Sequence, residues 1–234
     1  MWERLKDVVS NRSSTQAVLE DFLSDILSRD QLGERGQRVI DLGCGDGRSF
    51  DLFRRLLPTA RWTGVDIESS PEVSLRTRTD AEFCTYDGLS LPFPDGSVDL
   101  VFSCQVLEHV RHPEKVLAEV TRVLRPGGRF VGSTSHLEPY HSFSYWSFTP
   151  WGFRVIAQDA GLRLLNVQPG IDSLTLIWRA VLGRPKLLGR YFRSESPLNW
   201  LIRLVARIKG QSTARTNIQK LQFCGQFAFD CVKD

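Results

Sequence analysis

The chain has 234 residues and a formal net charge of +3, with 41% hydrophobic and 24% charged residues. These values are typical of a soluble globular protein, and we expect one domain with an insertion. No apolar run approaches the roughly 20 residues that a membrane-spanning helix needs. The first residues, Met1 to Asp7, carry charges of both signs, so we expect no secretory signal and a cytoplasmic protein.

The charge is unevenly distributed. From Ile171 onward we count 11 basic and 4 acidic residues, against 19 and 23 in residues 1–170. A binding surface in the C-terminal part would have this signature, although charged helices are usually only solvated. The five cysteines include no C-x-x-C pair, which predicts neither a disulfide framework nor a zinc site. Cys104 is expected to be buried rather than nucleophilic.

The first predicted element is a helix over residues 14–32, capped by Ser14 or Thr15, which covers the sheet or a ligand cleft. Residues 33–36 end it. The stretch Arg38 to Gly47 then reads as a buried parallel strand that enters a turn with three alternating glycines. A helix from Ser49 to Leu57 follows, for which Asp46 is the expected N-cap.

This glycine turn predicts a nucleotide-binding site. Glycines permit positive φ and leave room for backbone N–H groups and the helix N-terminus to approach a ligand. A tight turn alone would need glycine without any ligand, but a second strand from Arg61 to Ile67 places Asp66 where a carboxylate accepts hydrogen bonds from ribose hydroxyls. The spacing Asp41-x-Gly43-x-Gly45-x-Gly47 differs from the nicotinamide pattern, and no Walker lysine follows.

The strand rhythm continues down the chain. A helix start at Ser69 to Glu72 precedes a third strand over residues 81–85, and a fourth strand begins at Val98. Helical signals over residues 105–124 lead to a fifth strand, Arg129 to Ser133. Thr149 then caps a helix that ends at Gly161, and a sixth strand covers residues 162–167.

Together these motifs resemble the class I S-adenosylmethionine-dependent methyltransferases, from about Val39 to about Gly170. Four elements occur in the family's order: the glycine turn, Asp66, the segment Tyr86-Asp87-Gly88, and the fourth strand followed by residues 104–109. The phrase Pro-Phe-Pro-Asp-Gly-Ser at residues 92–97 resembles the methyltransferase type 11 branch, which includes ubiquinone and menaquinone methylation enzymes.

The resemblance implies a Rossmann-like, doubly wound α/β fold: a seven-stranded, mostly parallel sheet with an antiparallel last strand and helices on both faces. It implies S-adenosylmethionine as cofactor, with S-adenosylhomocysteine as product. Asp87 would accept a hydrogen bond from the adenine amino group, although Asp-Gly is also a common turn dipeptide. The implied cofactor-binding residues are Asp41, Gly43, Cys44, Gly45, Gly47, Asp66, Ile67, Asp87, Gly88 and Gln105.

The acceptor side is less defined. Methyl transfer depends mainly on positioning, and a general base is optional. His109 is the first candidate base because it follows the fourth strand; the further candidates are His136, Tyr140 and His141. The loop over residues 136–148 is rich in aromatic and imidazole groups at the ligand-binding edge of the sheet, so Tyr145 and Trp146 are expected to line the acceptor site.

Residues 105–109 also resemble the E-x-x-E-H metal segment of ubiquinone O-methyltransferases. Gln105 stands where that segment has its first carboxylate, and a neutral amide is a weaker ligand. We therefore expect no metal requirement.

The domain plan that we expect is a single methyltransferase domain over residues 1–234. It comprises the helix over 14–32, a cofactor-binding core over 37–170, an insertion over 171–216 and final strand material over 217–234. Within the insertion, residues 197–209 predict an amphipathic basic helix with Trp200 on its apolar face. We expect this helix to be a lid packed on the core, near the acceptor; contact with a membrane surface is the alternative.

The function predicted from the sequence is O-methylation of a small or lipid-like acceptor. The alternatives are an RNA methyltransferase that uses the basic C-terminal region, and a catalytically silent cofactor-binding protein. The intact glycine turn with Asp66 argues against a silent protein, and we do not expect nucleic acid as a partner. The sequence does not indicate an oligomeric state.

Overall fold

The sheet contains the strands that the sequence predicts, with the last one reversed. The computed structural model describes residues 1–29 and 36–234, and in these residues seven strands form one sheet in the order β3-β2-β1-β4-β5-β7-β6. Strands β1 to β5 run parallel, and β7 runs antiparallel to both of its neighbours. The strands are β1 Arg38–Leu42, β2 Arg61–Asp66, β3 Glu82–Thr85, β4 Val98–Cys104, β5 Leu124–Ser135, β6 Leu162–Pro169 and β7 Gln226–Lys233.

The helices lie between these strands and at the N-terminal end of the chain. Two short 3₁₀ turns, Leu107–His109 and Arg190–Phe192, complete the regular structure of the described residues. The helices are α1 Trp2–Leu5, α2 Leu19–Arg29, α3 Ser49–Leu56, α4 Pro71–Ser74, α5 Pro113–Val123, α6 Pro150–Asp159, α7 Ser173–Val181, α8 Lys186–Gly189, α9 Pro197–Ile208 and α10 Thr213–Leu221.

Apolar side chains on both faces of the sheet form two core layers. Side chains alternate along a strand, so in β1 Val39 faces one layer while Ile40 and Leu42 face the other. Helices α2 and α3 pack on the Val39 side, and α5 and α6 pack on the opposite side. The fold is thus doubly wound with helices on both faces, as expected.

Two predicted helix starts differ from the structure. Helix α2 begins at Leu19 instead of near Ser14, and the predicted end of this helix, from residue 30 through Gly33, lies outside the described residues. Helix α3 has Arg48 at its N-cap position, without a side-chain cap. The carboxylate of Asp46, the predicted cap, accepts from the Arg48 N–H at 3.2 Å and from the Arg48 guanidinium at 2.9 and 3.0 Å, so its partners lie one residue before the helix.

The insertion begins at the ligand-binding edge of the sheet. Because β7 is antiparallel to both β5 and β6, the last residues of β5 and β6 lie at the same edge, where β7 begins. Helices α7 to α10 connect the end of β6 to the start of β7. Among residues 1–29 and 36–234, no helix is long and apolar enough to cross a membrane.

Candidate functional site

The turn between β1 and α3 has a backbone shape that requires glycine. Gly43, Gly45 and Gly47 have φ angles of +72°, +52° and +82°, a region that residues with side chains rarely adopt. A Cβ on Gly43 would lie 2.3 Å from Val106 Cγ2, and one on Gly45 would lie 3.0 Å from Glu72 Cβ. Both the angles and the close neighbours therefore exclude larger residues at the start of this turn.

Asp66 lies at the end of β2 and is hydrogen-bonded to the same turn. Its Oδ2 accepts from the Gly45 N–H at 2.7 Å and its Oδ1 from the Ile67 N–H at 2.8 Å. A carboxylate offers about four acceptor positions, so Asp66 retains capacity for further donors. The carboxylate therefore fixes the turn, and it is only partly buried.

Asp87 closes the turn after β3. It is exposed, and its Oδ1 accepts from the N–H groups of Ser90 at 2.6 Å and Leu89 at 2.8 Å. These two hydrogen bonds hold the pKa of Asp87 below its usual value. Beside it, a Cβ on Gly88 would meet Ile67 Cγ2 at 3.8 Å. Ile67, Asp87 and Gly88 thus lie together at the ends of β2 and β3, as the sequence predicts.

Asp41 and Cys44 lie behind the glycine turn. Asp41 is only 3% exposed, and its burial raises its pKa to about 7. The Ser49 hydroxyl, in the first turn of α3, donates to Asp41 Oδ2. Cys44 is also buried, and its N–H donates to Val65 O at 3.2 Å. Both predicted residues are thus placed to support the turn from the protein interior.

Arg76 contacts the glycine turn and was missed by the sequence analysis. Its Nε and Nη2 donate to the Gly45 carbonyl at 2.9 and 2.7 Å. Its guanidinium carbon lies 4.1 Å from the centre of the Phe83 ring, a cation–π distance. Because the acceptor is a backbone carbonyl, no partner side chain marks this contact in the sequence.

Gln105 lies in the turn after β4 and connects this turn to β5 by hydrogen bonds. It has a φ of +56°, and its N–H donates to Ser133 O at 3.0 Å. Its side-chain amide lies 2.9 Å from Ser133 Oγ and 3.1 Å from Ser135 Oγ. Val106, the next residue, is the one that packs against Gly43. This turn and the glycine turn are therefore in contact.

A buried acidic cluster lies next to Gln105. Glu108 is fully buried, its Oε2 accepts from Thr134 Oγ1 at 2.9 Å, and its Oε1 lies 3.0 Å from Ser135 Oγ. Burial raises the pKa of Glu108. Ser135 Oγ also lies 2.8 Å from Glu138 Oε2, which accepts from Gln226 Nε2 at 2.8 Å. Glu138 was not proposed as a site residue from the sequence, although it lies in the loop over residues 136–148, which was.

The structure brings together two of the three histidines proposed as bases. The rings of His109 and His141 lie 5.3 Å apart, edge to face. Ligand atoms of these two histidines and of Glu108 all lie within 4.8 Å of one another, an arrangement that can hold a metal ion. His136 lies apart from this cluster; it is buried, and burial lowers its pKa.

The aromatic loop, residues 136–148, lies over this cluster. The N–H groups of Tyr145 and Trp146 donate to Glu108 O at 2.7 and 3.2 Å, and Trp146 Nε1 donates to Val110 O at 2.9 Å. The side chains of Tyr140 and Tyr145 are exposed. The loop is thus anchored through its backbone and one indole nitrogen, and several of its rings remain available for contact.

Trp200 lies elsewhere, on α9. It lines a cavity of about 420 Å³ together with residues of α9, α10 and the N-terminal segment, and no residue of the aromatic loop lines this cavity. Trp200, Leu201 and Ile208 are exposed, whereas the buried residues of α9 are Asn199 and Ala206. The expectation of a lid whose apolar face packs on the core is therefore wrong, because polar residues anchor this helix from its inner side.

Comparison with known proteins shows what part of the chain is similar to. Residues 40–132 match the family described as methyltransferase domain. A protein of Mycolicibacterium smegmatis described as a probable S-adenosylmethionine-dependent methyltransferase is 34% identical over 119 residues, which are 46% of this chain and 46% of that protein. The fatty-acid O-methyltransferase of the same organism is 32% identical over 139 residues, which are 58% of this chain and 47% of that protein.

A solved structure shows the same fold. Geranyl diphosphate C-methyltransferase from Streptomyces coelicolor A3(2), in complex with Mg²⁺, geranyl diphosphate and S-adenosyl-L-homocysteine, has a TM-score of 0.56 at 18% identity, over 92% of this chain and 81% of that one. Residues 40–132 thus match a methyltransferase domain, and the fold of the chain is similar to that of S-adenosylmethionine-dependent methyltransferases, whose cofactor is S-adenosylmethionine. The chain spans less than half of the length of both curated relatives.

Proposed function

We propose that this protein transfers the methyl group of S-adenosylmethionine to a hydroxyl oxygen of a lipid-like acceptor. The observation that carries the proposal is the position of the cluster of Glu108, which is buried, with His109, Glu138 and His141, which are partly buried. It lies beside the turn of Gln105 and Val106, which contacts the glycine turn, and beneath the aromatic loop. Groups that hold a proton are therefore adjacent to the proposed donor site.

The glycine turn suits the cofactor because its three glycines have positive φ angles and expose backbone without side chains at the start of α3. When bound, S-adenosylmethionine supplies an electrophilic methyl group on a sulfonium sulfur. The Asp66 carboxylate would accept from the ribose hydroxyls, and Ile67, Asp87 and Gly88 would surround the adenine. Gln105 and Val106 would lie towards the reacting end, since they connect the glycine turn to the acidic cluster.

The acceptor loses a proton when its oxygen gains the methyl group. In our proposal the new O–C bond forms as the S–C bond breaks, and His109 takes the hydroxyl proton. Glu108 and His141 lie near enough to orient His109 and to stabilise its positive charge, and Glu138 lies 3.9 Å from His141. A free carboxylate acceptor would meet two glutamates here, which favours a neutral hydroxyl.

Two observations support a lipid-like acceptor. The aromatic loop presents exposed rings at the ligand-binding edge, and such rings suit an apolar chain. A relative that is 32% identical bears the name fatty-acid O-methyltransferase. A fatty acid is a carboxylic acid with a long apolar chain. Our proposal shares the apolar chain with that acceptor, but the group that receives the methyl is a hydroxyl instead of a carboxylate.

The test is methyl transfer from labelled S-adenosylmethionine to long-chain alcohols, phenols and fatty acids, read by mass spectrometry. We expect Asp66→Ala to weaken binding of S-adenosylmethionine by about 100-fold or more, since ribose hydroxyls lose their acceptor. His109→Asn should leave that binding unchanged and lower kcat about 100-fold or more with hydroxyl acceptors. Normal affinity in a folded Asp66→Ala variant would contradict the donor site, and full turnover in His109→Asn would contradict the base.

A further inference from the structure

The insertion presents an apolar surface to solvent. On α7 the exposed residues Leu174, Ile177, Trp178 and Val181 recur at helical spacing, so they form one face. On α9 the exposed face is formed by Trp200, Leu201, Leu204, Val205 and Ile208. Val181 is 71% exposed and Ile208 is 78% exposed. Contiguous apolar patches of this kind mark interaction sites in water-soluble proteins.

These two faces are held outward by polar anchors on the inner side. Asn199 Nδ2 donates to Gly170 O at 2.8 Å and to Gln16 Oε1 at 2.9 Å. The buried Asp172 accepts from Thr175 N–H at 2.7 Å and from Leu198 N–H at 3.2 Å, which joins the first turns of α7 and α9. The apolar faces are therefore fixed in orientation.

Basic residues surround the same faces. Residues 173–209, which we call the 173–209 surface, contain one acidic residue, Glu195, whose carboxylate pairs with Lys220 and with Arg203. Five exposed basic residues of this surface form no ion pair with any described residue: Arg184, Lys186, Arg190, Arg207 and Lys209. The eight basic residues of the surface are Arg179, Arg184, Lys186, Arg190, Arg193, Arg203, Arg207 and Lys209.

We propose that the 173–209 surface docks on an anionic lipid bilayer. Exposed apolar side chains flanked by lysine and arginine match an interface in which acyl chains lie beneath negatively charged headgroups. A second copy of this chain is a poorer occupant, because a symmetric pairing would place two strongly positive surfaces against each other. An RNA would match the charges but would leave Val181 and Ile208 exposed to water.

The 173–209 surface lies next to the aromatic loop. Ser173 N–H, at the start of α7, donates to Phe223 O at 2.8 Å, and Leu137 N–H, at the start of the aromatic loop, donates to Cys224 O at 3.2 Å. Exposed Leu137 and Phe223 thus continue the apolar surface towards the aromatic loop. A docked protein would face the membrane with the edge that carries the candidate acceptor site.

The experiment measures binding to vesicles, without donor or acceptor, so its outcome is independent of the proposed methyl transfer. Sedimentation with vesicles that contain about one third phosphatidylglycerol is compared with pure phosphatidylcholine. We expect at least about tenfold stronger binding to the anionic vesicles, and a blue shift of the fluorescence of Trp178 and Trp200 that the Trp178→Phe/Trp200→Phe variant loses.

Paired variants separate the two contributions. Val181→Ser/Ile208→Ser should weaken anionic-vesicle binding by about tenfold or more, and Arg184→Gln/Arg207→Gln should weaken it by a similar factor and reduce its salt dependence. The controls are Leu75→Ser, which changes an equally exposed leucine outside the surface, and Arg54→Gln/Arg55→Gln on α3. Both should bind like the wild type, and melting curves verify that every variant is folded.

Three results would overturn the proposal. The first is a failure in the vesicle assay: either the wild-type protein stays in the supernatant with anionic vesicles, or Val181→Ser/Ile208→Ser sediments as well as the wild type. Another is binding of a short single-stranded RNA that resists the serine substitutions and displaces the vesicles. The third is a dimer at micromolar concentration that Val181→Ser/Ile208→Ser dissociates, which would assign the surface to self-association.

Discussion

Asp41 combines a structural role with an ionisable group in a dry position. Its carboxyl lies beneath the glycine turn, accepts from the Ser49 hydroxyl and is 3% exposed. Because burial disfavours the charged form, its pKa rises from 3.8 to about 7. At the residue scale, the glycine turn therefore packs against a carboxyl whose protonation changes close to neutral pH.

This predicts a pH dependence of stability. When the pKa of a carboxyl is higher in the folded than in the unfolded protein, its full contribution to the free energy of unfolding is present below the unfolded pKa. That contribution is lost as the pH rises from about 4 to about 7. In Asp41→Asn that loss should disappear, so relative to the wild type the variant should gain up to about 4 kcal/mol of unfolding free energy across this interval. Urea unfolding of both proteins at several pH values measures the difference, and parallel curves would contradict it.

At the scale of single elements, α9 is stabilised by polar contacts and exposes its apolar residues. Asn199 is fully buried and donates to Gly170 O and Gln16 Oε1. Asn199→Ala should lower the free energy of unfolding by about 1–3 kcal/mol because it leaves a buried carbonyl without its donor. Denaturant unfolding measures this effect.

A variant on the opposite face of α9 is the matched control. Leu201→Ala changes an exposed side chain of the same helix and should alter the free energy of unfolding by no more than about 0.5 kcal/mol. A larger loss in Leu201→Ala than in Asn199→Ala would mean that the apolar face is covered in the folded protein.

The aromatic loop gives a second prediction at this scale. Tyr145 holds its backbone to Glu108 O, while its ring is exposed above the cluster. Tyr145→Ala should raise the acceptor KM by about tenfold and leave S-adenosylmethionine affinity unchanged, because the ring lies outside the donor turn. Steady-state kinetics and calorimetry measure the two quantities.

Tyr145→Phe keeps the ring and removes the hydroxyl. It should behave like the wild type if the ring supplies apolar contact to the acceptor. Equal loss of donor and acceptor binding in Tyr145→Ala would instead show that the ring supports the fold.

At the scale of the whole molecule, three distant segments create one cluster. Glu108 and His109 follow β4, His141 lies in the aromatic loop after β5, and Gln226, which contacts Glu138, begins β7. The three potential ligands could bind a cation, whereas the sequence predicts no metal requirement because Gln105 replaces a carboxylate. The prediction is that turnover survives removal of divalent cations by a chelator.

The chelator experiment has a direct control. Magnesium or zinc added back to the chelated protein should change neither the rate nor the melting temperature. Loss of activity with chelator, restored by a metal ion and absent in His141→Asn, would establish a metal site instead.

The sequence by itself determined the strands and the turns at their ends, where we place the donor. The glycine turn, Asp66 and the Asp87-Gly88 turn are each encoded by residues within a few positions of one another at the ends of strands, and parallel strands bring those ends to one edge. Short apolar runs likewise predicted the strands, and the family resemblance implied helices on both faces of the sheet. Local patterning was sufficient because these features depend on backbone conformation and strand period.

Only the tertiary structure decided which residues gather around Glu108, where we place the acceptor, and which residues are exposed on the 173–209 surface. Glu138, Gln226 and Arg76 were missed because their contacts join segments far apart in sequence or end on backbone atoms, which leave no pattern. Helix α9 shows the same limit: its apolar periodicity identified a face but not the direction of that face. Its direction was decided by Asn199, since a buried amide with partners on Gly170 and Gln16 stabilises the inward orientation of the polar side.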